Sequence, residues 1–363
     1  MKKQLLLENV RVIDMSQYIP GPLATRQLAD LGAEVIKIEP PGGDPMRNFM
    51  HNQSRAPSPV YRHLNRGKRV CALDLKSKSG KQALSELIVD ADILLESFRP
   101  GVLARLGFDR EQLDRLNPRL IHCALSGYGQ NGPYAQRAGH DINYCALSSQ
   151  SIVSGSAQKP VIAYPPIADH AAALQASTMM LAALHARDKR KTGIYLDLSI
   201  TETILAWQYL PLLADASDRA SSLLNGGAAC YNIYQCADQD FISLGAIEPA
   251  FWKNFCAAVN KPRWVTRQYE SMPQTALIEE VAGLMASRSV NHWRDLLDAI
   301  DCCFEALFSA DDVAQQAQLK SRRALTAAGP TYPAWIDQQA VETATNFEQL
   351  AASEPVRWTS RAG

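Results

Sequence analysis

The stretch NVRVIDMSQYIPGPLATRQLADLGAEVIKIEPP (residues 9–41) decides the fold. Its opening run, with Val10, Val12 and Ile13, has the length and apolar character of a buried strand. GPLATRQLADLG follows with Leu23, Leu28 and Leu31 near helical spacing. Pro22 suits a first helical turn, where its missing N–H is no loss, and Gly32 suits the left-handed stop of a helix. AEVIKIEP is a second strand, closed by Pro40 and Pro41. Strand, helix and strand joined by turns this short form a parallel βαβ unit.

Working outward, the alternation continues. KRVCALDLK (68–76) reads as a strand, Ser79 to Asp90 as a helix and ADILLESF (91–98) as a strand. Asp109 is placed to cap the helix REQLDRL, and RLIHCALS (119–126) is again a strand. The prediction is an α/β fold with a Rossmann-like parallel sheet and helices on both faces. Such sheets bind ligands beyond the carboxyl ends of their strands, so the loops after Ser16, Glu39, Lys76, Ser97 and Ser126 are the places for a site. No phosphate-binding G-x-x-x-x-G-K-[ST] occurs, and PGGD (41–44) reads as a plain turn.

Beyond Asp169 the pattern changes. HAAALQASTMMLAALHARDKRKTG (170–193) is a long small-residue helix whose basic end suits the negative end of the helix dipole. IYLDLS (194–199) is a strand and ITETILAWQYLPLLADAS (200–217) an apolar helix. CYNIYQCADQDFISLGAI (230–247) reads as a hairpin turning at ADQD, followed by helical patterns over 249–259, 274–287 and 290–300. The expected organisation is a large domain over 1–190, a connecting helical region over 191–225, a small α/β domain over 226–305 and a return segment to the large domain over 306–363.

Composition narrows the function. Lys+Arg and Asp+Glu balance at 37 each over 363 residues, which gives no basic surface for nucleic acid. No apolar run reaches the ~18–20 residues of a membrane span. The start, MKKQLLLENVRVIDMS, begins like a signal peptide, but its apolar run stops at Glu8 with no small-residue cleavage site after it. The eight cysteines are scattered and form no C-x-x-C, the usage expected of reduced thiols in a cytoplasmic protein with no metal site.

AGHDINY (138–144) is the segment where chemistry is first suspected. Its His140 has two readings, half of an acid/base pair or a buried histidine making a structural hydrogen bond, and the stretch alone leaves both open. Asp169 has two as well, a chemical group or a helix N-cap. Asp141 reads as a structural partner.

VIDMSQYIPGPLATRQLADLGAEVIKIEPPGGDPMR, NRGKRVCALDLKSKSG, LLESFRPGVLARLGFD, NPRLIHCALSGYGQNGPY and GHDINY, in this order, make the chain resemble CoA-transferase family III, the group that includes formyl-CoA transferase, carnitine-CoA transferase and α-methylacyl-CoA racemase. The resemblance runs over residues 8–310. It implies a Rossmann-like large domain, a smaller α/β domain and an interlocked homodimer. Transferases of the family use an aspartate as nucleophile and form a mixed anhydride with the acyl group. Racemases use the matching aspartate as a base, and here it is Asp169 in PPIADHAAALQAS. The racemase branch adds a histidine, matching His140, and a glutamate in GAIEP, matching Glu248.

The resemblance therefore implies racemisation or epimerisation of 2-methylacyl-CoA thioesters, with His140, Asp169 and Glu248 as catalytic residues. A family III CoA-transferase is the alternative, and a catalytically impaired CoA-binding protein the second one. Inversion beside a thioester needs one group to take the α-proton and another to return a proton on the opposite face. Histidine and aspartate together meet that need. Glu248 would orient the imidazole, as a third group does in other catalytic arrangements. Backbone N–H groups of the helix turn at Asp169 are expected to meet the enolate oxygen.

By the same resemblance Arg105, in LARLG, and Tyr144 are substrate contacts, and the main chain of Ala72, Leu73 and Asp74 lies along the adenine side of CoA. Lys37 and Arg99, with Arg47, Arg66 and Lys68, offer charge to its phosphates. No cofactor is implied beyond the CoA moiety of the substrate. The chain departs from the racemases in one place: DHAAA (169–173) stands where they carry a glycine-rich DFGGG-like run, and the alanines narrow the room for a close backbone approach.

Overall fold

The computed structural model describes residues 5–49, 56–156, 158–213, 220, 222–351 and 355–360. The deciding stretch folds as strand β1 (Arg11–Met15), helix α1 (Pro20–Asp30) and strand β2 (Glu34–Glu39). Helix α2 (Pro59–Asn65), strand β3 (Arg69–Ala72), helix α3 (Lys78–Val89) and strand β4 (Ile93–Glu96) follow. Helix α4 (Arg110–Leu116), strand β5 (Ile121–Ser126), helix α5 (Asp141–Leu147), helix α6 (Ile167–Arg190), strand β6 (Ile194–Ser199) and helix α7 (Ile200–Ala206) complete the series. Asp109 caps α4 as expected, its Oδ1 accepting from Gln112 N at 2.8 Å.

These elements belong to one of two compact units, made of residues 1–148, 164–207 and 317–363. Its seven-stranded sheet has the order β3-β2-β1-β4-β5-β6, with a two-residue strand, Glu348–Gln349, on the outer edge of β3. Every pairing in it is parallel. The strand order reverses between β1 and β4, because β1 leads to β2 and β3 on one side while β4 leads to β5 and β6 on the other.

The apolar runs of the strands are buried on both faces, as a parallel sheet requires. Val12, Val35, Leu95, Cys123 and Leu125 pack with α1 and α6 on one face. Ile13, Ile36, Ile38 and Leu94 pack with α3 and Leu113 of α4 on the other. The alanines of DHAAA lie in α6 on the first face. Ala171, Ala172 and Ala173 are almost completely buried, Ala172 and Ala173 in that core.

The second unit comprises residues 149–163 and 208–316. Strands β7 (Tyr231–Gln235), β8 (Phe241–Gly245) and β9 (Phe304–Ala306) form an antiparallel sheet. Helices α8 (Pro249–Ala258), α9 (Thr275–Met285) and α10 (Val290–Leu297) supply much of the rest of its core, around Trp252, Phe255, Trp264 and Trp293. The predicted hairpin and its three following helices are all present. The helix expected over 200–217 is broken into Ile200–Ala206 and Tyr209–Leu213, and its last residues lie outside the described ones. The connecting region expected over 191–225 is divided too, since β6 is a full member of the first unit's sheet. Among the described residues no helix is long and apolar enough to cross a membrane.

Candidate active site

A cleft of about 320 Å³ opens at the carboxyl end of the parallel sheet, where the strand order reverses. That is the position at which an open α/β sheet splays its loops apart and leaves room for a ligand. Gln17 and Tyr18 after β1, Ser97 to Pro100 after β4 and Ser126 and Gly127 at the end of β5 form part of its wall. The 135–140 segment and the first turn of α6 close it, bringing His140, Tyr144 and Asp169 into one cavity.

Asp169 sits half-buried in the first turn of α6. Among the described residues no lysine or arginine forms an ion pair with it. Burial, with the Asp141 carboxylate nearby as a smaller cause, raises its carboxyl to about 7. A carboxyl group in that range is a competent proton acceptor and donor near neutral pH.

Asp141 explains how the turn is held. Its Oδ1 accepts from Ala168 N at 2.7 Å and from Asp169 N at 3.1 Å. It therefore caps α6 from another helix, and the GHDINY segment fixes the helix start that carries Asp169. This corrects one expectation: the N–H groups of this turn are engaged by Asp141 and are not presented to an enolate oxygen.

His140 is the N-cap residue of α5, exposed at the cleft, with its own N–H donated to Asn143 Oδ1 at 3.0 Å. Its ring meets the Tyr18 ring nearly perpendicularly, with centroids 5.5 Å apart. Tyr144 is buried, and its hydroxyl donates to the Gly139 carbonyl at 2.7 Å. Two glycines permit this packing: a Cβ on Gly127 would lie 2.6 Å from the Tyr144 hydroxyl, and one on Gly139 would lie 2.8 Å from its ring.

The remaining named residues are dispersed. Arg99 lines the cleft and is exposed. Arg105 ends the short helical turn Val102–Arg105, is exposed and lies outside the cleft lining. Ala72, the last residue of β3, and Asp74 are exposed and Leu73 is partly buried, on the same edge of the sheet. Glu248 is an exposed residue of the second unit, at the N-cap of α8, with no hydrogen bond from its side chain to that helix end.

Lys37 is a correction. It is fully buried, paired with Asp44 at 3.0 Å, and donates to the Ser16 carbonyl at 2.7 Å. Its ammonium is directed into the protein and has no access to an external phosphate. Arg66 and Lys68 are buried and paired in the same way, with Asp30 and Asp14. The departure at DHAAA also has a structural answer: Ala171, Ala172 and Ala173 are buried and absent from the cleft lining, so their methyl groups do not narrow it.

Sequence inspection missed Arg137 and Tyr18. Arg137 lines the cleft three residues before His140, with its guanidinium 4.6 Å from the centroid of the Tyr134 ring. Nearness to GHDINY was the available signal for the first, and the loop after β1 for the second.

The family model described as CoA-transferase family III matches residues 7–355. The chain is 32% identical over 326 residues to human alpha-methylacyl-CoA racemase, covering 88% of this chain and 82% of that one. It is also 32% identical over 307 residues to succinyl-CoA–D-citramalate CoA-transferase of Chloroflexus aurantiacus, covering 81% and 75%. A crystal structure of a hypothetical protein from Mycobacterium tuberculosis superposes with a TM-score of 0.82 at 26% identity, covering 97% of this chain and 98% of that one.

Proposed function

The chain belongs to CoA-transferase family III, and from that premise we propose that it racemises or epimerises 2-methylacyl-CoA thioesters by two-base proton transfer. The observation that carries the reading is the presence of His140 and Asp169 in one cleft at the strand ends, with the Asp169 carboxyl raised to about 7. One group breaks the Cα–H bond and takes the proton while the electron pair moves into the thioester enolate. The other then delivers a proton to the opposite face and a new Cα–H bond forms. The CoA thioester is never cleaved. A carboxyl poised near neutral pH serves in either direction, as a racemase must.

In this reading Arg99 and Arg137 give the cleft its positive charge, facing the polyanionic CoA and the developing enolate. Glu248 acts as the orienting carboxylate of His140, supplied within an interlocked homodimer as Glu248 of the partner subunit. Tyr144 shapes the cavity against Gly127 and Gly139.

The test is incubation with a single enantiomer of a 2-methylacyl-CoA in deuterated water. Deuterium at the α-carbon, loss of stereochemical purity and an intact thioester are expected without any added acid. A second reading draws on the equal identity to a CoA-transferase: Asp169 attacks the acyl group, releases CoA as the thiolate and passes it to another acid. Hydroxylamine trapping of an Asp169 anhydride, together with no α-exchange, would replace the first reading with the second.

A further inference from the structure

We propose that Tyr18 is a positioning residue for the proton-transferring imidazole of His140, an inference that rests on the two-base reading above. Three observations converge on it. Tyr18 lines the cleft, and its ring meets that of His140 nearly perpendicularly at 5.5 Å. It is exposed and forms no part of a hydrophobic core cluster, so its ring does not serve packing. Its backbone also has φ +64°, a left-handed conformation that a bulky residue seldom adopts.

A strained residue persists only where its surroundings over-determine it. The loop carrying Tyr18 is held in that way. Lys37 Nζ donates to the Ser16 carbonyl at 2.7 Å, and Ser16 N donates to Asp14 Oδ1 at 2.9 Å. Asp14 is itself fixed by Lys68 Nζ at 2.9 Å and Thr25 Oγ1 at 2.6 Å. On the other side Gln17 N donates to Ser97 Oγ at 3.1 Å. A buried network of charges thus holds an exposed aromatic ring in an unfavourable conformation, facing His140.

A glycine at this position would relieve the backbone. What the tyrosine adds is a wall for the imidazole, an aromatic ring in edge contact with it. The ring limits the swing of His140 and keeps it directed across the cleft toward the α-carbon. Tyr18 acts through His140 and transfers no proton itself.

The test compares Tyr18→Phe, Tyr18→Leu and Tyr18→Gly with the wild type, each given one enantiomer of a 2-methylacyl-CoA in deuterated water. Inversion and α-deuteration are followed separately. Phenylalanine should stay within about twofold of wild type. Leucine and glycine should lose roughly 10- to 100-fold in kcat for inversion with little change in KM, the scale of a misplaced catalytic group. Deuteration through Asp169 should fall less than inversion, a split that general loosening of the fold would not produce. The glycine variant should melt no lower than wild type, because φ +64° costs glycine nothing. A racemising wild type matched by the glycine and leucine variants would overturn the proposal alone, as would equal loss of inversion and deuteration. A wild type that exchanges no α-proton would overturn the two-base reading and this inference with it.

Discussion

Asp14 and Asp169 are two carboxylates of one sheet-and-helix unit, and their surroundings drive them in opposite directions. Asp14 lies at 0% exposure within β1. Burial alone would raise its carboxyl, yet Lys68 and Lys37, with hydrogen bonds from Ser16 and Thr25, hold it far below the usual carboxylate range. Asp169 is also withdrawn from water, but its charged neighbour is Asp141, and its carboxyl rises to about 7. Two cations make the first a permanent anion and a strut for the loop beneath the cleft. With no lysine or arginine ion-paired to it among the described residues, the second is able to gain and lose a proton. What separates the two carboxyls here is the partner, since burial pushes both of them upward.

The sharpest way to strain this comparison is to neutralise each group in turn. Asp169→Asn and His140→Ala should each lower inversion by roughly 10²–10⁴-fold, the usual worth of a general acid or base, measured by chiral analysis of the product. Asp14→Asn should act on the fold instead. It leaves the buried Lys68 ammonium without its anion, while Lys37 keeps Asp44, at a cost of about 3–5 kcal/mol. Chemical denaturation would read this directly, and unchanged stability would mean that the network is not what holds the β1 loop.

A smaller effect of opposite sign is expected at Asp169. Its folded value, about 7, lies above the ordinary ~3.9, so its favourable contribution is complete below that ordinary value and is lost as pH rises through 7. At pH 8 the native state carries an ionised, poorly solvated carboxylate, and Asp169→Asn relieves it. The shift sets a ceiling of about 4 kcal/mol, reduced to about 1–2 kcal/mol by the solvent that reaches the cleft. Denaturation of wild type and variant should therefore diverge at pH 8 and coincide near pH 4.

Asp141→Asn should give the smallest change. An amide oxygen can still cap α6, so stability should fall by no more than about 1 kcal/mol. The negative charge beside Asp169 is gone, so the limb of the pH–rate profile that follows Asp169 should move to lower pH. A limb that stays in place would show that burial alone sets Asp169.

The sequence was informative wherever the cause of structure is local. Strands β1 to β6 announce themselves as short apolar runs between turn residues, and α1, α3 and the α8–α10 set by their spacing. Glu348–Gln349 and β9 were not legible, because strands of two or three residues carry no period and exist only through the partner they pair with. The start of α6 at Ile167 is not legible in the local sequence because its cap is Asp141, far upstream in the chain. His140 and Asp169 were legible as family words. The fate of Lys37 was not, since nothing near it in sequence shows that Asp44 and the Ser16 carbonyl wait inside.

The central claim, that Asp169 remains protonatable near neutral pH while Asp14 does not, is tested most directly by titrating carboxyl carbons by NMR in protein with ¹³C-labelled aspartate. Asp169→Asn identifies the Asp169 signal. The account predicts a midpoint at about 7 for that signal, with the Asp14 signal still ionised through the whole range in which the protein stays folded. An Asp169 signal that titrates near 4, as an ordinary aspartate does, would contradict it.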